Sequence, residues 1–177
     1  MGWALDRAEN GQAAMIGRRG LLLGAAALPL ASCGVGGRDW PTADLVVVQK
    51  SERRLILAAG GKALADYTVN LGFQPEGHKA QERDGRTPEG EYFIDRRNHR
   101  SDYHLSLGIS YPNPADVARA RAMGVDPGGD IFIHGSPTRP EDRGKRDWTA
   151  GCIAVTDRQI EEIWQMVPLG TRITILA

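Results

Sequence analysis

From residue 44 onward, apolar residues come in short runs rich in β-branched side chains, broken by polar turns. That rhythm predicts strands. Leu45 to Val48 and Leu55 to Ala58 are two such runs, and the polar Lys50 to Arg54 between them predicts a hairpin. Gly60-Gly61 then turns the chain into Ala63 to Val69. Residues 72–90 are polar and glycine-rich and end in Thr87-Pro88-Glu89-Gly90, a turn signal ahead of a strand at Glu91 to Asp95. Tyr103, Leu105 and Leu107 alternate with His104 and Ser106, as on a half-buried strand, and Ile131 to His134 and Arg172 to Leu176 supply two more.

Two stretches follow helical spacing instead. Asn113-Pro114 places a cap before a proline at the first helical position and opens a helix to about Met123, closed by Gly124. Thr156 to Gln159 resembles a capping box, and Ile160, Ile163, Trp164 and Val167 follow on one face until Pro168. The predicted fold is therefore mainly β, sandwich- or barrel-like, with one or two short helices. Residues 44–177 form one domain.

The first third has another pattern. Arg18 and Arg19 precede an apolar stretch from Gly20 to Leu30 that is too short to span a bilayer and ends in small residues before Cys33. Residues 1–32 read as an export signal, with Met15 the expected true start. Leu30-Ala31-Ser32-Cys33 resembles the lipobox of bacterial lipoproteins, which implies lipidation of Cys33. Arg18-Arg19 with Gly20-Leu21-Leu22 resembles a twin-arginine export motif. Residues 33–43 are then the lipidated end and its tether. The expected location is the periplasm, on a membrane-anchored lipoprotein. Gly34 lacks the usual Asp retention signal, which points to the outer membrane.

Composition narrows the function. Lys plus Arg and Asp plus Glu balance at 22 each, so no global field favours nucleic acid. The expected state is a monomer. The chain has two cysteines. With Cys33 carrying lipid, Cys152 is left without a disulfide partner, either packed as a small apolar side chain or kept for chemistry.

Cys152 lies between Gly151 and Ile153, and His134 closes an upstream apolar strand and is followed by Gly135. A thiol attacks acyl carbons as the thiolate, and a neighbouring imidazole can take its proton and return it to a leaving amine. Gly151 leaves room beside the sulfur for a substrate backbone. Residues 136–148 read as a loop over the site. No pair among the histidines and Cys152 has metal-ligand spacing, so neither metal nor organic cofactor is expected. Ser136 lacks the Gly-x-Ser-x-Gly elbow of serine hydrolases.

His134-Gly135, the loop, then Thr149-Ala150-Gly151-Cys152 resemble the signature of the L,D-transpeptidase catalytic domain of bacterial cell-wall enzymes. The likeness extends upstream to Thr87-Pro88-Glu89-Gly90-Glu91-Tyr92 and downstream through Asp157. It implies Cys152 as nucleophile, His134 as base, the Gly135 carbonyl as the group orienting the imidazole, and the Gly151 and Cys152 amides, beside Thr149, as the oxyanion hole. The implied partner is the peptidoglycan stem peptide, and the implied reaction is transpeptidation through a thioester. Two positions depart from the family pattern: Ala150 stands where a His is usual, and Ala154 where an Arg is usual. They resemble a divergent branch in which some members cross-link and others hydrolyse amides, including those joining peptidoglycan to a lipoprotein. A non-catalytic peptidoglycan-binding lipoprotein is the third reading. Arg139, Arg143, Lys145 and Arg146 are candidates for binding the carboxylates of a diaminopimelate-bearing peptide.

Overall fold

The computed structural model describes residues 39–177. The export segment, Cys33 and the tether up to residue 38 lie outside the described residues. The packed domain begins slightly earlier than the sequence pattern implies. Ala43 is buried and its amide donates to the Met166 carbonyl at 2.8 Å, while Trp40 packs against the core.

Eight strands and two helices follow in the order β1 (Leu45–Gln49), β2 (Arg54–Ala59), β3 (Lys62–Thr68), β4 (Gly90–Ser101), β5 (His104–Ile109), α1 (Pro114–Met123), β6 (Phe132–His134), β7 (Ile153–Ala154), α2 (Asp157–Met166) and β8 (Arg172–Leu176). Spatially the strands run β3-β2-β1-β8-β4-β5-β6-β7. The β1–β8 and β6–β7 pairs are parallel and the others antiparallel. Beyond β3, Asn70 exchanges two 2.8 Å backbone hydrogen bonds with Ala154 on β7, and Gly72 bridges to Thr149. The two ends of the strand order thus meet, giving the mainly β, barrel-like architecture expected.

Alternation sets the core. On β1 only Val46 and Val48 are fully buried, and they share the interior with Leu55, Leu57, Ile173 and Ile175. Ile160, Ile163 and Met166 of α2 close it from one side. Both helices carry the expected caps. Asn113 Oδ1 accepts from the Ala115 and Asp116 amides, and Thr156 exchanges capping-box bonds with Gln159.

Strand β4 is much longer than its apolar stretch. Past Asp95 it continues through Arg96-Arg97-Asn98-His99-Arg100-Ser101, all polar and mostly exposed, as one arm of a hairpin with β5. Bulges after Ile94 and Asn98 bend it. This hairpin builds one wall of the site.

Candidate active site

Strand register assembles the site floor. Asn98 on β4 pairs with Ser106 on β5, Ser106 with His134 on β6, and His134 with Ala154 on β7, placing these side chains in one row. The next row holds Arg96, Gly108 and Phe132, and Cys152 enters it just ahead of β7. A Cβ on Gly108 would sit 2.6 Å from the Arg96 side chain. Glycine there lets Arg96 lie across the sheet, 4.8 Å over the Phe132 ring and 3.5 Å from the Asp130 carboxylate.

Cys152 and His134 open onto one cavity of about 290 Å³. The thiol is partly exposed and donates to the Asp130 carbonyl at 3.5 Å. Asp130 holds a left-handed φ of 54°, an uncommon conformation for a residue with a Cβ. His134 is buried between aromatics. The Tyr103 ring stacks on it at 4.4 Å, and Trp148 meets it edge-on at 5.5 Å. Its Nδ1 lies 2.9 Å from the Gly135 carbonyl, which can only accept, so Nδ1 carries the proton and Nε2 is the basic nitrogen. Gly135 in turn donates to the Tyr103 carbonyl at 3.0 Å. A Cβ at Gly135 would come within 2.5 Å of Asp157 Oδ1 and 2.6 Å of that carbonyl, so glycine is required by close approach.

Electrostatics favour a neutral pair at rest. Desolvation lowers the His134 pKa, partly offset by the Gly135 carbonyl. Burial raises the Cys152 pKa, against the opposing pull of a backbone hydrogen bond from Phe132, while the Asp130 charge raises it further. Thiol and imidazole therefore both resist charging.

The turn before the sulfur is clipped by Thr149. Its hydroxyl donates to the Cys152 carbonyl at 2.7 Å and accepts from the Gly151 amide at 3.1 Å. The Gly151 amide, expected as an oxyanion donor, is therefore spent on Thr149. The space expected beside Gly151 is also filled. At φ 135°, its Cβ position lies 2.6 Å from the Arg86 carbonyl and 3.3 Å from Ile131, so the glycine admits protein backbone instead of substrate. Two residues upstream of Thr149, Asp147 binds Arg53 through contacts of 2.8–3.1 Å and accepts from the Leu71 amide at 3.0 Å. Asp157, at the start of α2, holds the loop entrance by exchanging hydrogen bonds with Ser136.

The four basic loop residues do not line the sulfur's cavity. Lys145 and Arg146 line a separate depression with Trp148, and Lys145 pairs with Asp142 at 3.1 Å. Arg139 and Arg143 flank a 3-10 turn at Pro140–Asp142. The cation on the cavity wall is Arg100, accompanied by Asp102 and Tyr103 from the β4–β5 hairpin tip. The sequence pattern places Tyr103 and Ser106 on a strand but gives none of these residues, nor Asp130, a role in the site. Residues 96–102 carry no apolar alternation, and Gly128-Gly129-Asp130 resembles an ordinary turn. Among the described residues, no three of His, Cys, Asp and Glu gather as metal ligands.

The model of the YkuD family, the L,D-transpeptidase catalytic domain, matches residues 43–175. The chain belongs to this family. A Bacillus subtilis relative, YqjB, whose designation as an L,D-transpeptidase is provisional, is 28% identical over 145 residues, covering 80% of this chain and 76% of its own. Escherichia coli YafK, designated in the same provisional way, is 32% identical over 93 residues, 51% of this chain and 32% of its own. Among solved structures, the helical cell shape determining protein Pgp2 of Campylobacter jejuni superposes with a TM-score of 0.60 at 25% identity, over 76% of this chain and 48% of Pgp2. The chain thus spans about half of that protein. An L,D-transpeptidase from Xylanimonas cellulosilytica, at 16% identity and a TM-score of 0.50, shares the fold over 78% of this chain and 62% of its own.

Proposed function

We propose that this YkuD-family domain is a peptidoglycan L,D-transpeptidase working through a thioester on Cys152. The observation that carries this reading is the shared cavity, with Nδ1 of His134 pinned to the Gly135 carbonyl and Nε2 left as the base. His134 Nε2 takes the thiol proton as sulfur attacks the carbonyl carbon of a stem-peptide amide. The Cys152 amide, which donates to no acceptor among the described residues, then stabilises the developing oxyanion. The C–N bond then breaks, the imidazolium protonates the departing amine, and the acyl group remains as a thioester. An acceptor amine attacks the thioester, loses its proton to His134, and releases Cys152 sulfur, which recovers a proton from the imidazolium. Water as the acceptor would convert the same cycle into hydrolysis. We further propose that lipid on Cys33 anchors a monomeric domain on the periplasmic side of the envelope, the lipobox-like Leu30 to Cys33 supporting that placement.

Incubating the protein with isolated sacculi and resolving muropeptides by mass spectrometry tests this. New cross-links that vanish in Cys152→Ala are the expected result. Shortened peptides or released polypeptide without cross-links would replace transfer by hydrolysis. Binding to sacculi without any change in muropeptides, in wild type and variant alike, would overturn catalysis altogether.

A further inference from the structure

The turn that carries Cys152 rests on the segment 79–87, none of which lines the sulfur's cavity. On one flank the contact is backbone to backbone. A Cβ on Gly151 would lie 2.6 Å from the Arg86 carbonyl, and Gly72, which bridges to Thr149, lies against the Gly85 carbonyl. On the other flank the Glu82 amide donates to the Asp126 carbonyl at 2.7 Å, and Glu82 lies over Gly128. Two residues further on is Asp130, whose carbonyl accepts from the thiol. One short turn thus backs both sides of the nucleophile.

A largely buried ion pair folds that turn. Lys79 and Asp84 meet at 3.0 Å, with side chains only 3% and 10% exposed. Asp84 is the hub. Its Oδ2 accepts from the Ala80 and Gln81 amides at 2.7 and 3.1 Å, and its Oδ1 accepts from the Arg86 amide and Lys79 Nζ, each at 3.0 Å. Lys79 Nζ also donates to the Gln81 carbonyl at 3.1 Å. Burial pushes the Asp84 carboxyl up, but the three amides and Lys79 outweigh it and hold it below the ordinary range. Between these anchors Arg83 is held at a left-handed φ of 61°, an uncommon conformation for a residue with a Cβ. The pair's charge is also felt at the site: burial raises the Cys152 pKa, and the Lys79 ammonium pulls against that rise.

We infer that Lys79 and Asp84 are positioning residues for the nucleophile, a buried pair that shapes the turn on which both flanks of Cys152 rest. This rests on the acyl-transfer reading and adds to it a device outside the cavity. Asp84 acts through the Arg86 carbonyl on Gly151 and through Glu82 on the approach to Asp130. The pull of Lys79 on the thiol gives the pair a signature that a contribution to stability alone lacks.

The test uses the full chain and its Asp84→Asn and Lys79→Met variants, with folding checked by circular dichroism. Asn matches Asp in shape, yet its NH2 group must face either the Ala80 and Gln81 amides or Lys79 and the Arg86 amide, donor against donor. Timed intact-mass measurement over a range of carbapenem concentrations separates the maximal acylation rate from the concentration that gives half of it. Asp84→Asn is expected to lower the maximal rate roughly ten- to hundred-fold, the scale of a misplaced nucleophile. The half-saturating concentration should stay at the wild-type value, because no residue lining the cavity changes. Lys79→Met keeps all three amide bonds to Asp84 and should move the pH profile of Cys152 alkylation by iodoacetamide, a neutral reagent, to higher pH. A folded Asp84→Asn that acylates at the wild-type maximal rate, or an alkylation profile unchanged in Lys79→Met, overturns the role of the pair. Should Asp84→Asn not fold, the Lys79→Met profile decides alone. Failure of the wild type to acylate while its thiol still alkylates overturns the acyl-transfer reading instead, and the alkylation profiles still test the pair.

Discussion

Replacing Thr149 with Val tests whether the hydroxyl clip holds the turn that carries Cys152. The side chain is 4% exposed, and Val matches its shape closely, so no cavity opens. The backbone bonds of residue 149 to Leu71 and Phe73 are untouched. What is lost is one hydroxyl serving two groups, the buried Gly151 amide and the part-buried Cys152 carbonyl. A buried polar group stripped of its partner costs about 1–3 kcal/mol, and the part-buried carbonyl less, because water can reach it. The sum is about 2–4 kcal/mol, or a Tm lowered by roughly 6–12 °C for a domain of this size. Because Cys152 sits on the freed turn, its acylation rate should fall by roughly ten- to hundred-fold. Thr149→Ser keeps the hydroxyl and loses one methyl, worth about 0.8 kcal/mol, and should acylate nearly as wild type does. Urea unfolding and timed intact-mass measurement of acyl-enzyme read both effects. A Val variant as stable and as reactive as wild type, or a Ser variant as impaired as Val, would refute the clip.

Three further outcomes are expected. Asp147→Asn removes the ion pair with Arg53, whose side chains are only 12% and 17% exposed, and should cost about 2–3 kcal/mol at neutral pH. Burial pushes the Asp147 carboxyl up, but Arg53 and the Leu71 amide outweigh it and hold the pKa below its ordinary value. The wild-type advantage is therefore present in full above pH of about 4 and shrinks as acid protonates the group. An advantage unchanged between pH 7 and pH 3 in urea titrations contradicts this. Gly151→Ala should destabilise the fold and slow acylation together, since its Cβ would meet the Arg86 carbonyl at φ 135°; wild-type behaviour in both measurements would be the contrary result. Because the His134 pKa is lowered and the Cys152 pKa raised, acylation should rise with pH through an inflection below the ordinary imidazole value of about 6.5, and ultraviolet thiolate absorbance should grow only above about pH 8.5. Thiolate absorbance at neutral pH would show a resting ion pair instead.

Much of the fold was legible because its signals are local. Alternation in Leu45 to Val48, the Gly60-Gly61 turn and the caps at Asn113 and Thr156 each specify an element within a few residues. His134 and Cys152 were legible through their glycine neighbours and the spacing between them. The cavity wall was not. Arg100 and Asp102 reach the sulfur's cavity only because β4 extends far past its apolar core as a hairpin arm, and a polar arm without apolar alternation reads as loop. The Arg53–Asp147 and Lys50–Glu89 pairs join residues 94 and 39 positions apart, through folding that no local pattern encodes. Gly151 was read as room for substrate because a glycine's neighbour in space, here the Arg86 carbonyl, is invisible along the chain.

Nucleophilic attack by Cys152 with His134 Nε2 as base is tested most directly by trapping the acyl-enzyme. The protein is incubated with a carbapenem or a stem tetrapeptide, quenched in acid, and measured by intact mass with peptide mapping. One covalent acyl adduct on Cys152 in the wild type, none in Cys152→Ala, and formation slowed by orders of magnitude in His134→Gln is the predicted pattern. An adduct that persists in Cys152→Ala, or forms at the wild-type rate in His134→Gln, would contradict it.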